Sequence, residues 1–220
     1  MKNILGIDCC SRWTNIGIVK EGMPVGEINH DLGRDQASLL PGLVSFLLKQ
    51  FRMDLQDLDV ISVTVGPGYF TGIRVGIAYA ISLAEGLGIE VAPVSSLEAT
   101  AFAHLVPYMI SIPVIWDKKG QVYAAGYRMC GDTLITEFQP GEYTPDYLYK
   151  LSKEKEFPSL CLTPDLTRLF EPLSMVGFRE IRHEVTRGSS VALLGLRGHT
   201  NQCDPSLVRA QYLRGPDIGP

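Results

Sequence analysis

Gly66-Pro67-Gly68-Tyr69-Phe70-Thr71-Gly72-Ile73-Arg74-Val75-Gly76 is the stretch on which the reading of the fold turns. Before it lies Val60 to Val65, an apolar β-branched run of the kind buried on both faces of a sheet. After it, about Thr71 to Leu87 reads as a helix. Gly72, Gly76, Ala80, Ala84 and Gly88 recur every fourth residue there, with Ile73, Ile77 and Ile81 on the adjacent stripe. Strand, glycine turn and apolar helix make one unit of an α/β sheet. The N–H groups of such a turn can cradle a phosphate, or its glycines can serve a tight turn alone; both readings stand. The lysine and hydroxyl of G-x-x-x-x-G-K-S/T are missing, and so is the spacing G-x-G-x-x-G.

Outward from this unit, residues 3–8, 14–19 and 24–30 read as strands, and Gln36 to Phe51 as an amphipathic helix with Pro41 in its first turns. Glu90 to Val94 is a strand, and Ser95 or Ser96 caps a helix toward His104. The order β-β-β-α-β-α-β-α predicts a mixed sheet with helices packed on it. The second half is less regular. Residues 110–116, 121–129 and 133–138 form a meander turning at Lys118-Lys119-Gly120 and Cys130-Gly131-Asp132. A helix near 146–153, a strand near 160–163 and a helix near 190–197 follow. No repeat is visible, and a boundary near Pro107 divides the chain into lobes 1–106 and 107–220.

The helix after the loop is apolar all round, so both of its sides need cover. The sheet supplies one. The other cover is either the helix at 36–51 alone or a partner subunit reached through both helices. The residues expected at such an interface are Leu40, Leu43, Leu47, Gly72, Ile73, Gly76, Ile77, Ala80 and Ala84.

Composition narrows the function. With 220 residues and a net charge of −4, the chain is not expected to grip nucleic acid strongly by itself, although Arg168 to Arg214 carries seven arginines against four acidic residues. No apolar run approaches a membrane span or a signal peptide, so a cytoplasmic location is expected. The five cysteines, Cys9, Cys10, Cys130, Cys161 and Cys203, include no C-x-x-C pair. His30, His104, His183 and His199 lack metal-ligand spacing, and no serine lies in G-x-S-x-G. Asp8, at the end of the first strand, is where nucleotide-handling folds organise a metal and phosphates. The turn after it, Cys9-Cys10-Ser11-Arg12-Trp13, lacks glycine, which predicts at most weak nucleotide contact through Asp8 and Ser11.

The stretch from Gly66 to Gly76 resembles the G-P-G-S-F-T-G-L-R-I-G signature of the TsaB family. Other landmarks agree: Ile7-Asp8, Leu39-Leu40-Pro41, Val94-Ser95-Ser96-Leu97-Glu98-Ala99, Gly120-Gln121-Val122-Tyr123 and Tyr212-Leu213-Arg214. Tyr69 stands where the signature has serine, Cys9-Cys10 where it has Thr-Ser, Asp35-Gln36 where it has His-Ser, and Trp116 and Lys118 where it has Asp and Arg. The resemblance implies an actin- and Hsp70-like (ribonuclease H-like) α/β fold with a full N-terminal and a reduced C-terminal lobe. It also implies a non-catalytic partner for a TsaD-like catalytic paralogue, supported by a TsaE-like ATPase, in forming N6-threonylcarbamoyladenosine at position 37 of transfer RNA. ATP and magnesium would serve those partners, with no cofactor in this chain, and transfer RNA would be met only through the complex. The two helices would be the dimerisation surface, shared by a homodimer of the isolated chain. The alternatives are an ATP-dependent transferase using Asp8 and the Gly66–Gly72 loop, and, least supported, the metallopeptidase of the older glycoprotease label.

Overall fold

The computed structural model describes residues 2–117, 120–131, 133–197 and 202–213; Lys118, Lys119, Asp132, His199 and Arg214 of the sequence reading lie outside them. The first half runs β1 (Ile4–Asp8), β2 (Trp13–Lys20), β3 (Met23–Asp31), α1 (Gln36–Gln50), β4 (Val60–Thr64), α2 (Phe70–Leu87), β5 (Glu90–Val94) and α3 (Ser96–Ala103). The second runs β6 (Ile110–Trp116), β7 (Val122–Cys130), β8 (Thr133–Tyr143), α4 (Pro145–Lys153), β9 (Ser159–Thr163), α5 (Leu166–Val176), β10 (Ile181–His183) and α6 (Gly188–Leu196). The same order of elements occurs twice.

The pairing repeats as well. The first sheet has order β3-β2-β1-β4-β5 and the second β10-β9-β6-β7-β8, which is the same arrangement read from the other edge. In each, the first three strands are antiparallel and the last two parallel to the first. The expectation of a less regular second half therefore needs correction in one respect. Its lobe is reduced in element length, not in element count: α4 and α5 have 9 and 11 residues where α1 and α2 have 15 and 18. The sequence reading missed α5 and β10, and ended β8 short of Pro140. An edge strand tolerates that proline, whose ring nitrogen has no ladder bond to make.

Leu5, Ile7, Cys9, Ile16 and Ile18 point to one face of the first sheet and meet Leu40, Val44, Leu47, Ile73, Ile77, Ala80 and Ala84 from α1 and α2. The opposite face is covered by the last helix. Across four strands Gly17, Gly6, Ser62 and Ala92 stand in one row, a flat strip that admits a helix backbone. A methyl group on Gly6 would overlap the carbonyl oxygen of Gly188, and one on Gly188 would overlap the β2 backbone at Ile16. The Ser62 hydroxyl closes the contact by donating to the Val191 carbonyl at 2.7 Å. A cut at residue 106/107 thus does not describe the packing, because α6 belongs physically to the first sheet. Reciprocally α3 packs on the second sheet, where Leu97 and Ala101 meet Ile115, Ala125 and Tyr127. Each half lends its third helix to the other.

Candidate functional site

The carboxyl ends of the central strands face each other where the halves meet. Asp8 ends β1 there, 1% exposed. Thr64 Oγ1 donates to Asp8 Oδ1 at 2.6 Å, the Cys10 N–H donates to the same oxygen at 3.2 Å, and Asn15 Nδ2 donates to Oδ2 at 2.8 Å. Burial raises the carboxyl's pKa above its ordinary value despite these hydrogen bonds. Both oxygens are engaged inside the first half. Ser11 is equally inward: its hydroxyl accepts from the Trp13 N–H at 3.1 Å, and its carbonyl accepts from Gln36 Nε2 at 3.0 Å.

The cavity bounded by Asp8, Cys10, Ser96, Thr100, Pro164 and Thr186 has a volume of about 10 Å³. That is room for roughly one water, against the ~300 Å³ or more of small-molecule pockets. Thr100 Oγ1 and Thr186 Oγ1 meet across it at 2.6 Å. These residues do not fit a nucleotide in this arrangement. Among the described residues there is also no group of three or more His, Cys, Asp or Glu side chains placed to hold a metal ion.

The signature loop is bound into the fold on several sides. The Tyr69 N–H donates to the Cys10 carbonyl at 2.7 Å, the Ser96 N–H donates to the Gly66 carbonyl at 2.9 Å, and the Ser96 hydroxyl donates to the Pro67 carbonyl at 2.5 Å. Gly72 lies against the Cys9 carbonyl so closely that any side chain would overlap it. The loop's turn role is therefore explicit: Tyr69 N–H, one of the groups that would cradle a phosphate, is bonded to protein. Thr71 is exposed. Tyr69 itself reaches the second half, its hydroxyl 3.0 and 3.2 Å from the Asp165 carboxylate oxygens.

The small-residue stripe faces inward. Gly72, Ile73, Gly76, Ile77, Ala80 and Ala84 are buried against the first sheet, as are Leu40 and Leu47, while Leu43 is partly buried. These nine residues, expected at a partner interface, serve the chain's own core. The glycines and alanines let α2 approach β1 and β4, where Gly76 sits against Cys9 and Val63. What α1 and α2 present outward is a different set. Leu39 and Phe46 are 46% and 56% exposed, and Phe70 is 49% exposed. Between the two helices runs an open groove of about 550 Å³ bordered by Ala37, Phe70, Arg74, Val75, Ala78 and Tyr79. At its end the Arg74 guanidinium lies 3.8 Å above the Phe70 ring and within 3.4 Å of the Tyr212 hydroxyl. Tyr212 comes from the C-terminal segment, held by Gln211 N–H to Val65 carbonyl and by the Cys203–Val91 bridge.

Sequence reasoning missed Asp165, Thr186 and the outward groove, and noted Gln36 only as a departure from the signature. The signal for the groove was present, since residues offset by two from a buried stripe face away from it.

Two mixed five-stranded sheets of the same strand order, each covered by helices, with the third helices exchanged, define an actin- and Hsp70-like α/β protein. Two solved structures share the fold. One, from Pseudomonas aeruginosa, is described as an uncharacterized protein with similarity to peptidase YEAZ (TM-score 0.82, 19% identity, covering 97% of this chain and 100% of that one). The other is YeaZ from the same organism (TM-score 0.76, 19% identity, the same coverage). In sequence, residues 30–163 match the family model described as TsaD: tRNA N6-adenosine threonylcarbamoyltransferase. The tRNA threonylcarbamoyladenosine biosynthesis protein TsaB of Bacillus subtilis is 32% identical over 164 residues, 74% of this chain and 71% of that protein. The protein of the same description from Buchnera aphidicola is 29% identical over 187 residues, 78% of each chain. A tRNA N6-adenosine threonylcarbamoyltransferase of Pyrobaculum arsenaticum is 25% identical over 150 residues, which span 60% of this chain and 45% of that enzyme. The chain belongs to the TsaB family.

Proposed function

We propose that this chain acts in tRNA threonylcarbamoyladenosine biosynthesis as a non-catalytic subunit, pairing with a TsaD-like catalytic paralogue through the outer face of α1 and α2. The observation that carries the reading is the contrast between its two candidate surfaces. The cleft that would do chemistry has about 10 Å³ of space, and its aspartate is engaged by Thr64, Asn15 and Cys10. The outer helix face has a groove of about 550 Å³ flanked by exposed apolar side chains. Apolar surface of this kind gains by being covered. A paralogue of the same fold would bring an equivalent helix pair, so that the two faces meet about a pseudo-two-fold axis. The same surface would support a homodimer of the isolated chain. A TsaE-like ATPase completes the assembly, ATP and magnesium serve the partners, and transfer RNA is met through the complex.

The test is incorporation of labelled threonine into unmodified transfer RNA by the reconstituted proteins, with this chain present, omitted, or alone. Activity that needs the chain and is absent when it acts alone is the expected result. Activity from the chain alone would overturn the proposal.

A further inference from the structure

The chain passes between the two sheets twice, through residues 95–109, which include α3, and through residues 184–187. Contacts cluster at those crossings: His104 Nε2 lies 2.8 Å from the Val185 carbonyl, and His104 Nδ1 lies 3.3 Å from the Glu184 carboxylate. A separate contact is made by the signature loop. The Tyr69 hydroxyl donates to the carboxylate of Asp165, at 3.0 and 3.2 Å from its two oxygens.

Asp165 occupies the N-cap position of α5, yet its side chain makes no capping hydrogen bond. Aspartate is among the best N-cap residues, and its carboxylate ordinarily accepts from the first-turn N–H groups of its own helix. Ser95 and Thr144, at the same position of α3 and α4, do so. At α5 the local bond is given up for one to the other half. The preceding Pro164 lines the small cavity together with Asp8 and Cys10, so the contact lies next to that cavity. Burial, with Asp165 beside it, pushes the Tyr69 phenol up to about 12, which keeps the hydroxyl protonated and donating at neutral pH.

We infer that Tyr69 and Asp165 form a clasp that holds the two halves closed over the Asp8 cavity, and that its release is an opening motion built into this fold. The clasp is independent of the pairing surface on α1 and α2. When it opens, the freed Asp165 carboxylate can turn back and cap α5. Opening then carries little cost in global stability, a property of a switch rather than of a core contact.

Hydrogen–deuterium exchange of the full chain tests this, comparing the wild type with Tyr69→Phe and Asp165→Ser. The first variant removes one hydroxyl. The second keeps an N-cap residue too short to reach Tyr69. Loss of a hydrogen bond to a charged group predicts amide exchange about tenfold faster in both variants, at residues 66–72 and 164–169 alike, with Tm shifted by under about 2 °C. The double variant should exchange no faster than either single one. Unchanged exchange in both variants would overturn the clasp. So would a change confined to residues 164–169 in Asp165→Ser with Tyr69→Phe silent, since that is a cap effect alone.

Discussion

The two halves of this molecule have one topology and two uses. In the first, α1 and α2 are long, their buried sides are small or branched, and their outer sides carry exposed Leu39, Phe46 and Phe70, the last of them bordering an open groove. In the second, α4 and α5 are little more than half as long and pack through Leu148, Leu169 and Leu173 over Ile110, Ile112 and Val114. The exchanged third helices differ in the same sense. Helix α6 lies on a strip of glycine, serine and alanine, backbone almost against backbone, whereas α3 stands off the second sheet on Ile115 and Tyr127. Shared topology therefore sets where the elements go. Side-chain volume at a few positions decides which surface is sealed and which is left to meet a partner.

That comparison is broken most severely at the strip beneath α6. Gly6→Val would drive a branched side chain into the Gly188 carbonyl and the Ala192 amide. Two backbones cannot both yield, so we expect destabilisation of at least about 3 kcal/mol, read as the midpoint of urea unfolding. At the corresponding contact of the second sheet, Ala125→Val should cost less, about 1–3 kcal/mol, because side chains rather than backbone must move. Equal losses at the two sites would contradict the difference in packing.

The outer faces come next. Ala78→Arg places a charge in the exposed groove between α1 and α2. It should weaken pairing with the catalytic paralogue about 100-fold in Kd by isothermal titration, with stability changed by no more than about 0.5 kcal/mol. Phe170→Arg, on the exposed side of α5, should leave pairing unchanged. Bulky replacements at Gly76 or Ala80 do not test the interface, because both are buried against the sheet and would damage the fold first.

How legible was this in the sequence? In the first half the β-branched runs, the glycine loop and the three-and-four spacing of leucines and isoleucines pointed to every strand and α-helix, though not to the single 3-10 turn at Leu55–Asp57. In the second half, Leu166, Leu169, Leu173 and Val176 carry a helical period, but Pro172 within α5 reads as a breaker. It falls late enough that only a carbonyl in the first turns loses its partner. Strand β10 has three residues, too few for any period to show. The inward direction of the small-residue stripe was hidden for another reason. Small residues at fourfold spacing permit close approach by a helix or by a sheet, and only the fold says which. Gly6 and Gly17 did carry a signal, since opposed glycines on neighbouring strands leave a flat patch that something must cover.

Smaller effects follow from two carboxyls on the α6-facing side of the first sheet. Asp8 has its pKa raised by burial, so folding opposes its charged form. That penalty is present at neutral pH and disappears as pH falls through the raised folded value. Asp8→Asn should therefore stabilise the chain at pH 7, read as a raised midpoint of urea unfolding, with the gain shrinking in acid. Asn15, whose Oδ1 is buried without a partner, can rotate to receive the new amide. Glu27 behaves oppositely. Burial pushes its carboxyl up, but hydrogen bonds from Ser189, Arg187 and Asn29 outweigh this and leave its pKa lowered from 4.5. Its contribution is present above pH 4.5 and is lost as pH falls through the lower folded value. Glu27→Gln should flatten that acid limb by under about 1 kcal/mol, measured as Tm against pH.

The central claim is that this chain contributes a surface and not a reacting group. Threonine incorporation by the reconstituted assembly, run with wild type, Asp8→Asn and Ala78→Arg, tests it most directly. We predict full activity with Asp8→Asn and loss of activity with Ala78→Arg, restored when the partners are raised to concentrations that force pairing. Abolished turnover by Asp8→Asn in an assembly that still forms would contradict the account and make Asp8 a participant in the chemistry.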